Sequence, residues 1–139
     1  MYGLLLEGRS AADAVVVAQT DTIGDELLGE WAAAAERLIA RFREPGSMAR
    51  IVHHPAGDCA GETLAVMQVT EFTVHGWDLA RAVGTDENLD TDVVDWLLLK
   101  LSPMMPSFET SGFFGAPSGQ FGDDQSSQVR LLDLLGRRP

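Results

Sequence analysis

The chain has 139 residues, 45% of them hydrophobic, so it is long enough and apolar enough to fold around a core of its own. Its 21 acidic residues outnumber its 10 basic residues and give a formal net charge of −11. This charge argues against binding to nucleic acids and to anionic membrane surfaces, because both depend on Lys and Arg side chains.

Cysteine content and the N-terminal sequence indicate a cytoplasmic protein. The single cysteine, Cys59, excludes an internal disulfide and fits a reducing compartment. We expect Cys59 to be structural, since no neighbour in the sequence lowers the pKa of its thiol. The first residues lack the basic start and long apolar core of a secretory signal, and no apolar run is long enough to span a membrane.

Two features precede the first long helix. Met1–Gly8 has the pattern of the last turns of a helix, with three leucines before a glycine that can end it. Arg9–Gln19 is a connector with some helical potential, and its β-branched residues leave the conformation undecided.

The next stretch runs to about Arg43 and predicts a helix that Asp21 or Thr22 can cap. Its apolar residues recur at the i, i+3, i+4 spacing of an amphipathic helix, and they are Leu27, Leu28, Trp31, Ala35, Leu38, Ile39 and Phe42. We expect this helix to belong to the core and Trp31 to pack there rather than bind a ligand.

Two adjacent histidines follow in a stretch that can be extended, Met48–Pro55, before the turn-like segment Gly57–Gly61. In a strand, His53 and His54 point to opposite faces, so at most one of them could face a metal. We expect both to be structural, with solvent or backbone groups as hydrogen-bond partners.

The stretch Gly61–Gly84 predicts a long helix with an apolar stripe, which the glycine at its end stops. Glu71 and His75 are four residues apart and share one face, and Asp78 follows three residues later on that face. A carboxylate and an imidazole in this arrangement can hold one divalent metal, since both suit zinc. The alternative is a partly buried polar pair bonded to neighbouring helices.

Two more helices follow. Asp90 can cap a helix that ends at Ser102-Pro103, and Asp123 or Asp124 can cap the last helix, which Gly136 stops. Four helical stretches, a helical segment at the start and little strand predict an all-α protein. We expect an antiparallel bundle in a single domain over residues 1–139.

The loop at residues 107–122 is rich in Gly, Ser and Phe. Phe113 and Phe114 make it too apolar for a free linker, so we expect it to fold over the bundle and to form one wall of a ligand pocket.

Three stretches carry a family resemblance: the run from Glu71 to Gly84 that contains His75-Gly-Trp-Asp-Leu-Ala-Arg81, the segment Gly112–Pro117, and the ending Leu131–Pro139. Over them the chain resembles the DinB-like, mycothiol-dependent maleylpyruvate isomerase superfamily, in particular its small metal-binding subgroup. The resemblance implies a four-helix bundle with one divalent metal, often zinc. Its ligands are an early His and a later Glu and His four residues apart, and the last two map onto Glu71 and His75.

What the resemblance implies for function is a metal-dependent isomerase or thiol transferase that uses mycothiol, in which the metal activates the thiol. Asp78 and Arg81 would support the metal ligands, with Asp78 orienting His75 or pairing with Arg81. Trp77 and the two phenylalanines of the loop, Phe113 and Phe114, would line the pocket of a small-molecule substrate.

The resemblance also implies an N-terminally truncated bundle. Met1–Gly8 resembles the tail of the family's second helix, so we expect the first helix and the early His ligand to be missing and the metal site to be incomplete. A missing helix leaves apolar surface uncovered, which predicts a homodimer. The alternatives are a non-catalytic dimeric bundle and a small-molecule binding module, both without the metal.

Overall fold

The computed structural model describes residues 1–20, 25–105, 115–120, 122 and 124–139. In these ranges the chain forms α1 (Tyr2–Leu6), α2 (Ala11–Ala18), α3 (Leu27–Arg43), a 3-10 turn (Ser47–Ala49), β1 (Ile51–His54), β2 (Gly57–Ala60), α4 (Gly61–Val83), α5 (Thr91–Leu101) and α6 (Ser127–Leu134). The helical fold class is confirmed, whereas the bundle arrangement stays a prediction.

The chain divides into two compact units, Met1–Gln68 and Val69–Pro139. The single domain that the sequence predicts over residues 1–139 stays a prediction. Within the described ranges, every helix is too short or too polar to cross a membrane.

The first unit is built on the short helix α1. Leu5 and Leu6 are almost fully buried, and they cluster with Ala14 of α2, Val52 of β1 and Leu64 of α4. Gly8 ends α1 as predicted, because its φ of 83° lets the following backbone N–H groups turn back onto the last carbonyl groups of the helix.

The connector that the sequence left undecided is helical. Ser10 caps α2 by accepting a hydrogen bond from the Asp13 backbone N–H at 3.1 Å. A side-chain oxygen at this position satisfies one of the free donors of the first turn, which stabilises a helix that its β-branched residues favour only weakly.

Helix α3 differs from the prediction, because none of its residues is fully buried. Leu38 and Phe42 pack against the core of the first unit, but Leu28 is 85% exposed and Trp31 is 60% exposed. The expected packing role of Trp31 is therefore wrong. An amphipathic pattern identifies the apolar face of a helix without specifying how much of that face a neighbour covers. The two residues predicted as caps, Asp21 and Thr22, lie outside the described residues.

Residues 51–60 form a β-hairpin, whose first strand lies in the stretch that the sequence predicts can be extended and whose second strand replaces the predicted turn-like segment. β1 and β2 pair antiparallel, with Ile51 opposite Ala60 and His54 opposite Gly57. The alternation of side chains leaves His53 exposed and His54 buried, as expected for adjacent residues of a strand. Strand β2 was missed because its sequence is short and polar, so that its conformation depends on pairing with β1.

The second unit contains the later part of α4 together with α5 and α6. Its buried apolar residues are Val74, Trp77, Val94, Leu97, Leu101, Met105, Leu131, Leu132 and Leu135. Asp90 caps α5 as predicted, since its Oδ1 accepts from the Val93 N–H at 3.1 Å. Helices α5 and α6 pack on each other. Gln128 of α6 also bonds the segment before α5, donating to the Glu87 carbonyl and accepting from the Leu89 N–H at 2.9 Å each.

The cap of α6 differs from the prediction. Ser126 caps the helix by accepting from the Val129 N–H at 3.4 Å, so the predicted cap Asp124 is wrong. Asp123 lies outside the described residues. A serine next to the first turn is well placed for this role, whereas Asp124 lies two residues further from the helix.

Asp133 of α6 anchors the segment at residues 115–120. Its Oδ1 accepts from the Ser118 N–H at 2.9 Å, and hydrogen bonds from the Ser118 side chain and from the Ser118 and Gly119 backbone N–H groups hold the pKa of Asp133 below its usual value. Asp133 is 5% exposed. It therefore fixes this segment as an ionised acceptor.

We expect Asp133→Asn to lower the free energy of unfolding by about 1 kcal/mol at neutral pH, because a charge-assisted acceptor is lost. A carboxyl group with a lowered pKa in the folded state stabilises above its unfolded pKa, and this contribution disappears as the pH falls through the folded pKa. The difference between wild type and variant should therefore begin to shrink near pH 4, the usual pKa of an aspartate, and disappear only below the lower folded-state pKa. Urea titrations at several pH values measure it, and a difference independent of pH would contradict this role.

Candidate functional site

Glu71, His75 and Asp78 lie together on one face of α4. The His75 Nε2 is 3.1 Å from Glu71 Oε2, and the His75 Nδ1 is 3.2 Å from Asp78 Oδ2. The helical repeat places side chains three and four residues apart next to one another, so the uninterrupted helix is sufficient to bring these groups together. The imidazole thus has a carboxylate at each of its two nitrogens.

This face of α4 is open to solvent while an adjacent face of the helix is buried. The side chain of His75 is 61% exposed and that of Glu71 is 44% exposed, whereas Val74 and Trp77 are 1% and 4% exposed. The buried residues hold the helix in the second unit. The polar residues are consequently supported on a fixed helix and remain accessible to an ion or a small molecule.

Asp78 links the imidazole to the C-terminal segment. Arg137 donates from Nη2 to Asp78 Oδ2 at 2.7 Å and from Nε to Asp78 Oδ1 at 3.3 Å. The hydrogen bond from Arg137 is the main reason why the pKa of Asp78 is lower than usual, and the hydrogen bond from His75 adds to it. Asp78 is therefore an ionised acceptor held by a two-pronged donor.

A second contact joins the same two segments. Arg81 donates from Nη1 to the backbone oxygen of Arg138 at 3.0 Å, and its guanidinium lies 4.8 Å from the centre of the Trp77 ring. This is cation–π distance, and it places a positive charge over the buried indole. The last turns of α4 thus hold the chain after α6 both through Asp78 and through Arg81.

The predicted site residues have different outcomes. Asp78 contacts His75, in agreement with the expectation that it orients the imidazole. Its cationic partner is Arg137 rather than Arg81, which was the other expectation. Phe113 and Phe114, predicted to line the pocket, lie outside the described residues. Sequence analysis did not identify Arg137 as a partner of Asp78. No local pattern could have paired it with a carboxylate 59 residues away.

The histidines and the cysteine of the first unit have structural surroundings. His54 is buried and accepts from the Ala56 backbone N–H at 3.1 Å, as expected, whereas His53 pairs with the Asp58 carboxylate at 2.8 Å rather than with solvent or a backbone group. Burial lowers the pKa of His54. Burial and the charge of Asp58 raise the pKa of the Cys59 thiol, which disfavours the reactive thiolate.

The chain is similar in sequence to a known protein family and to two proteins of one bacterium. The family described as the mycothiol maleylpyruvate isomerase N-terminal domain matches residues 4–80. The chain belongs to this family. It is 28% identical, over 133 aligned residues, to two uncharacterized proteins of Mycobacterium tuberculosis: Rv0738 of strain ATCC 25618 / H37Rv and MT0763 of strain CDC 1551 / Oshkosh. These alignments cover 82% of this chain and 73% of each relative, and no solved structure matches.

The matched range of the mycothiol maleylpyruvate isomerase N-terminal domain includes the Glu71, His75 and Asp78 side chains and ends before Arg81 and Arg137. The link between Asp78 and the C-terminal segment thus joins the family region to residues beyond it. The hydrogen bonds between Asp78 and Arg137 are observed in the structure of this chain, and the family match does not extend to Arg137.

The polar face of α4 fits two ligands of a divalent metal. Two ligands of one tetrahedral zinc, each at about 2.0–2.2 Å, are separated by roughly 3.4 Å. The Glu71 Oε2 and His75 Nε2 atoms, 3.1 Å apart, have nearly this separation. In the part of the chain that the structure describes, no group of three or more His, Cys, Asp or Glu side chains is arranged to hold an ion. The separation that fits a metal is therefore that of two donors, Glu71 Oε2 and His75 Nε2.

Proposed function

We propose that this protein takes part in mycothiol-related chemistry through a divalent metal, with zinc as the best fit, held by Glu71 and His75. The observation that carries the proposal is the convergence of Glu71 Oε2 and His75 Nε2 at 3.1 Å on a solvent-accessible helix face. Membership of the mycothiol maleylpyruvate isomerase N-terminal domain family supplies the chemical context. When bound, such an ion would lower the pKa of a coordinated thiol such as that of mycothiol.

The residues of the chain have separable roles in this proposal. Glu71 supplies an anionic oxygen, and His75 supplies a neutral nitrogen through Nε2. Asp78 Oδ2 lies 3.2 Å from Nδ1 of the imidazole and can accept an N–H there, which would leave the electron pair of Nε2 available to the ion. Zinc prefers this mixture of oxygen and nitrogen donors. The reaction class that follows is isomerisation or thiol transfer on a small molecule.

A second candidate is a helical protein of the same family in which these residues bind no metal. Its support is that both nitrogens of His75 already have carboxylate partners on the same helix. An exposed His–Glu pair with this spacing also stabilises a helix without any ligand, although weakly. The predicted homodimer stays a prediction in both cases.

Metal binding separates the two candidates. Protein purified without chelator and titrated with Zn²⁺ or Co²⁺ is expected to bind one ion per chain. Glu71→Ala and His75→Ala should each abolish this binding, while the helical circular dichroism stays, because alanine is a strong helix former. The absence of Co²⁺ and Zn²⁺ binding by wild-type protein would overturn the metal proposal.

The matched control is His53→Ala. His53 and Asp58 also form an exposed His–carboxylate pair, at 2.8 Å, but on the hairpin of the first unit. This variant should keep wild-type metal binding. Equal losses in His53→Ala and His75→Ala would show that exposed histidines bind the ion nonspecifically, and would contradict the assignment to Glu71 and His75.

The proposed binding of the mycothiol thiol to the metal is tested by a separate measurement. Addition of mycothiol to the Co²⁺-loaded protein should produce a sulfur-to-cobalt charge-transfer absorption, which reports a thiolate bound to the ion. If Co²⁺ binds but its absorption stays unchanged with mycothiol, the metal assignment stands and the proposed thiol activation is wrong.

A further inference from the structure

We propose that Arg137 is a positioning residue, which acts through Asp78 to fix the tautomer and the ring orientation of His75. The proposal deepens the proposed function, because it concerns the nitrogen that would bind the metal. Its basis is a continuous set of hydrogen bonds from the Arg137 guanidinium to the Asp78 carboxylate and on to the His75 Nδ1.

The tautomer matters because His75 lies between two acceptors. A neutral imidazole carries a single N–H, which either donates from Nδ1 to Asp78 or donates from Nε2 to Glu71. Only the first tautomer leaves an electron pair on Nε2 for a metal. The two carboxylates therefore compete for one proton, and the better-oriented carboxylate determines which nitrogen is free.

Arg137 gives Asp78 the advantage of a fixed orientation. Its two donors hold both carboxylate oxygens, and the oxygen that receives the shorter bond, Oδ2, is also the one that faces His75 Nδ1. Glu71 has one more rotatable bond than Asp78 and is 44% exposed. Fixing an acceptor in advance reduces the conformational entropy that is lost when the hydrogen bond forms.

The guanidinium is itself anchored by the end of α6. Gly136, with a φ of 73°, turns the chain so that the Arg137 N–H bonds to the Leu132 carbonyl at 2.8 Å. The Arg137 side chain also donates from Nη1 to the Leu135 carbonyl at 2.9 Å and is only 21% exposed. These contacts place it on the C-terminal end of the helix, where a cation is favoured. Arg137 is therefore a rigid support for Asp78.

The test is the ¹⁵N spectrum of the histidine side chains in metal-free protein, recorded at an alkaline pH where imidazoles are neutral. The protein has three histidines, and His75→Gln identifies the His75 signals by their loss. Wild type is expected to show a protonated Nδ1 and an unprotonated Nε2. Arg137→Leu should shift the population toward a protonated Nε2. A protonated Nε2 in wild type would overturn the proposal.

Three further variants test the same hydrogen bonds. Arg138→Leu is the matched control, because Arg138 contacts Arg81 through its backbone oxygen, and it should keep the wild-type tautomer. Arg137→Lys keeps the charge but loses the two-pronged donor, so an intermediate population is expected. Asp78→Ala removes the acceptor at Nδ1 and should give a protonated Nε2. If Arg137→Leu does not fold, the Arg137→Lys and Asp78→Ala spectra still test the proposal, and wild-type spectra for both would overturn it.

Metal affinity provides an independent readout. Zn²⁺ affinity is expected to fall by about 10–100-fold in Arg137→Leu and to stay unchanged in Arg138→Leu. If the tautomer shifts but wild-type protein binds no Zn²⁺, the positioning role stands and the proposed metal function fails. If Zn²⁺ binds but the tautomer is the same in wild type, Arg137→Leu and Arg137→Lys, the metal function stands and the positioning role fails.

Discussion

Gly61→Ala is expected to destabilise the protein by about 3 kcal/mol or more, even though alanine is the better helix former. A Cβ atom on Gly61 would overlap the backbone oxygen of Ser47 and approach the Ser47 carbonyl carbon to 3.0 Å and the Met48 Cα to 3.3 Å. Backbone atoms cannot move aside as a flexible side chain can. The Gly61 N–H also bonds to the Arg50 carbonyl at 2.9 Å, so the first residue of α4 cannot easily shift away.

The helix-forming advantage of alanine over glycine is at most about 1 kcal/mol, so the steric overlap outweighs it and Gly61→Ala should destabilise the protein. A loss of this size should lower the melting temperature by roughly 10 °C or more in a chain of this length. Thermal unfolding followed by circular dichroism measures it. A Gly61→Ala protein that melts within a few degrees of wild type would show that the 3-10 turn does not restrain the start of α4.

Gly76→Ala is the matched control because it lies on the same helix. A Cβ atom there would meet nothing within 4 Å, so only the backbone preference operates. We expect a stabilisation of about 0.5–1 kcal/mol. Opposite signs for the same substitution on one helix would separate the packing requirement at Gly61 from a general effect of alanine.

The sequence predicted best where local chemistry decides the structure. The range proposed for the long helix, Gly61–Gly84, matches α4 with Gly84 at its left-handed end. The Asp90 cap and the stop at Gly136 are likewise present. Caps and glycine stops depend on neighbours within a few residues, and therefore a single sequence contains the necessary information.

Features that depend on distant partners were not predictable in the same way. Strand β2 needs β1 to pair with, and the exposure of Trp31 depends on which surfaces cover α3. At the candidate site, the spacing of Glu71 and His75 predicted their proximity correctly, since one helical turn determines it. The support of Asp78 by Arg137 arises from tertiary folding, which periodicity does not encode.

Gly136→Ala is expected to cost about 2–4 kcal/mol and to disturb the candidate site as well. The φ of 73° at Gly136 is a left-handed conformation, in which a side chain costs about 1–2 kcal/mol. An added Cβ would also lie 2.6 Å from the Cα and the oxygen of Gly115, which overpacks the contact. The left-handed backbone strain lies at the residue directly before Arg137, so relieving it should also move the donors to Asp78.

Two measurements on Gly136→Ala test this coupling of stability to the site. Urea unfolding should show the loss of stability, and the ¹⁵N spectrum should show the shift toward a protonated His75 Nε2 that is expected for Arg137→Leu. Gly115→Ala is the control, because its Cβ would lie at an ordinary 3.5 Å from Gly136, and it should stay within about 0.5 kcal/mol of wild type. A Gly136→Ala protein that is destabilised but retains the wild-type tautomer would show that Asp78 orients His75 without support from the end of α6.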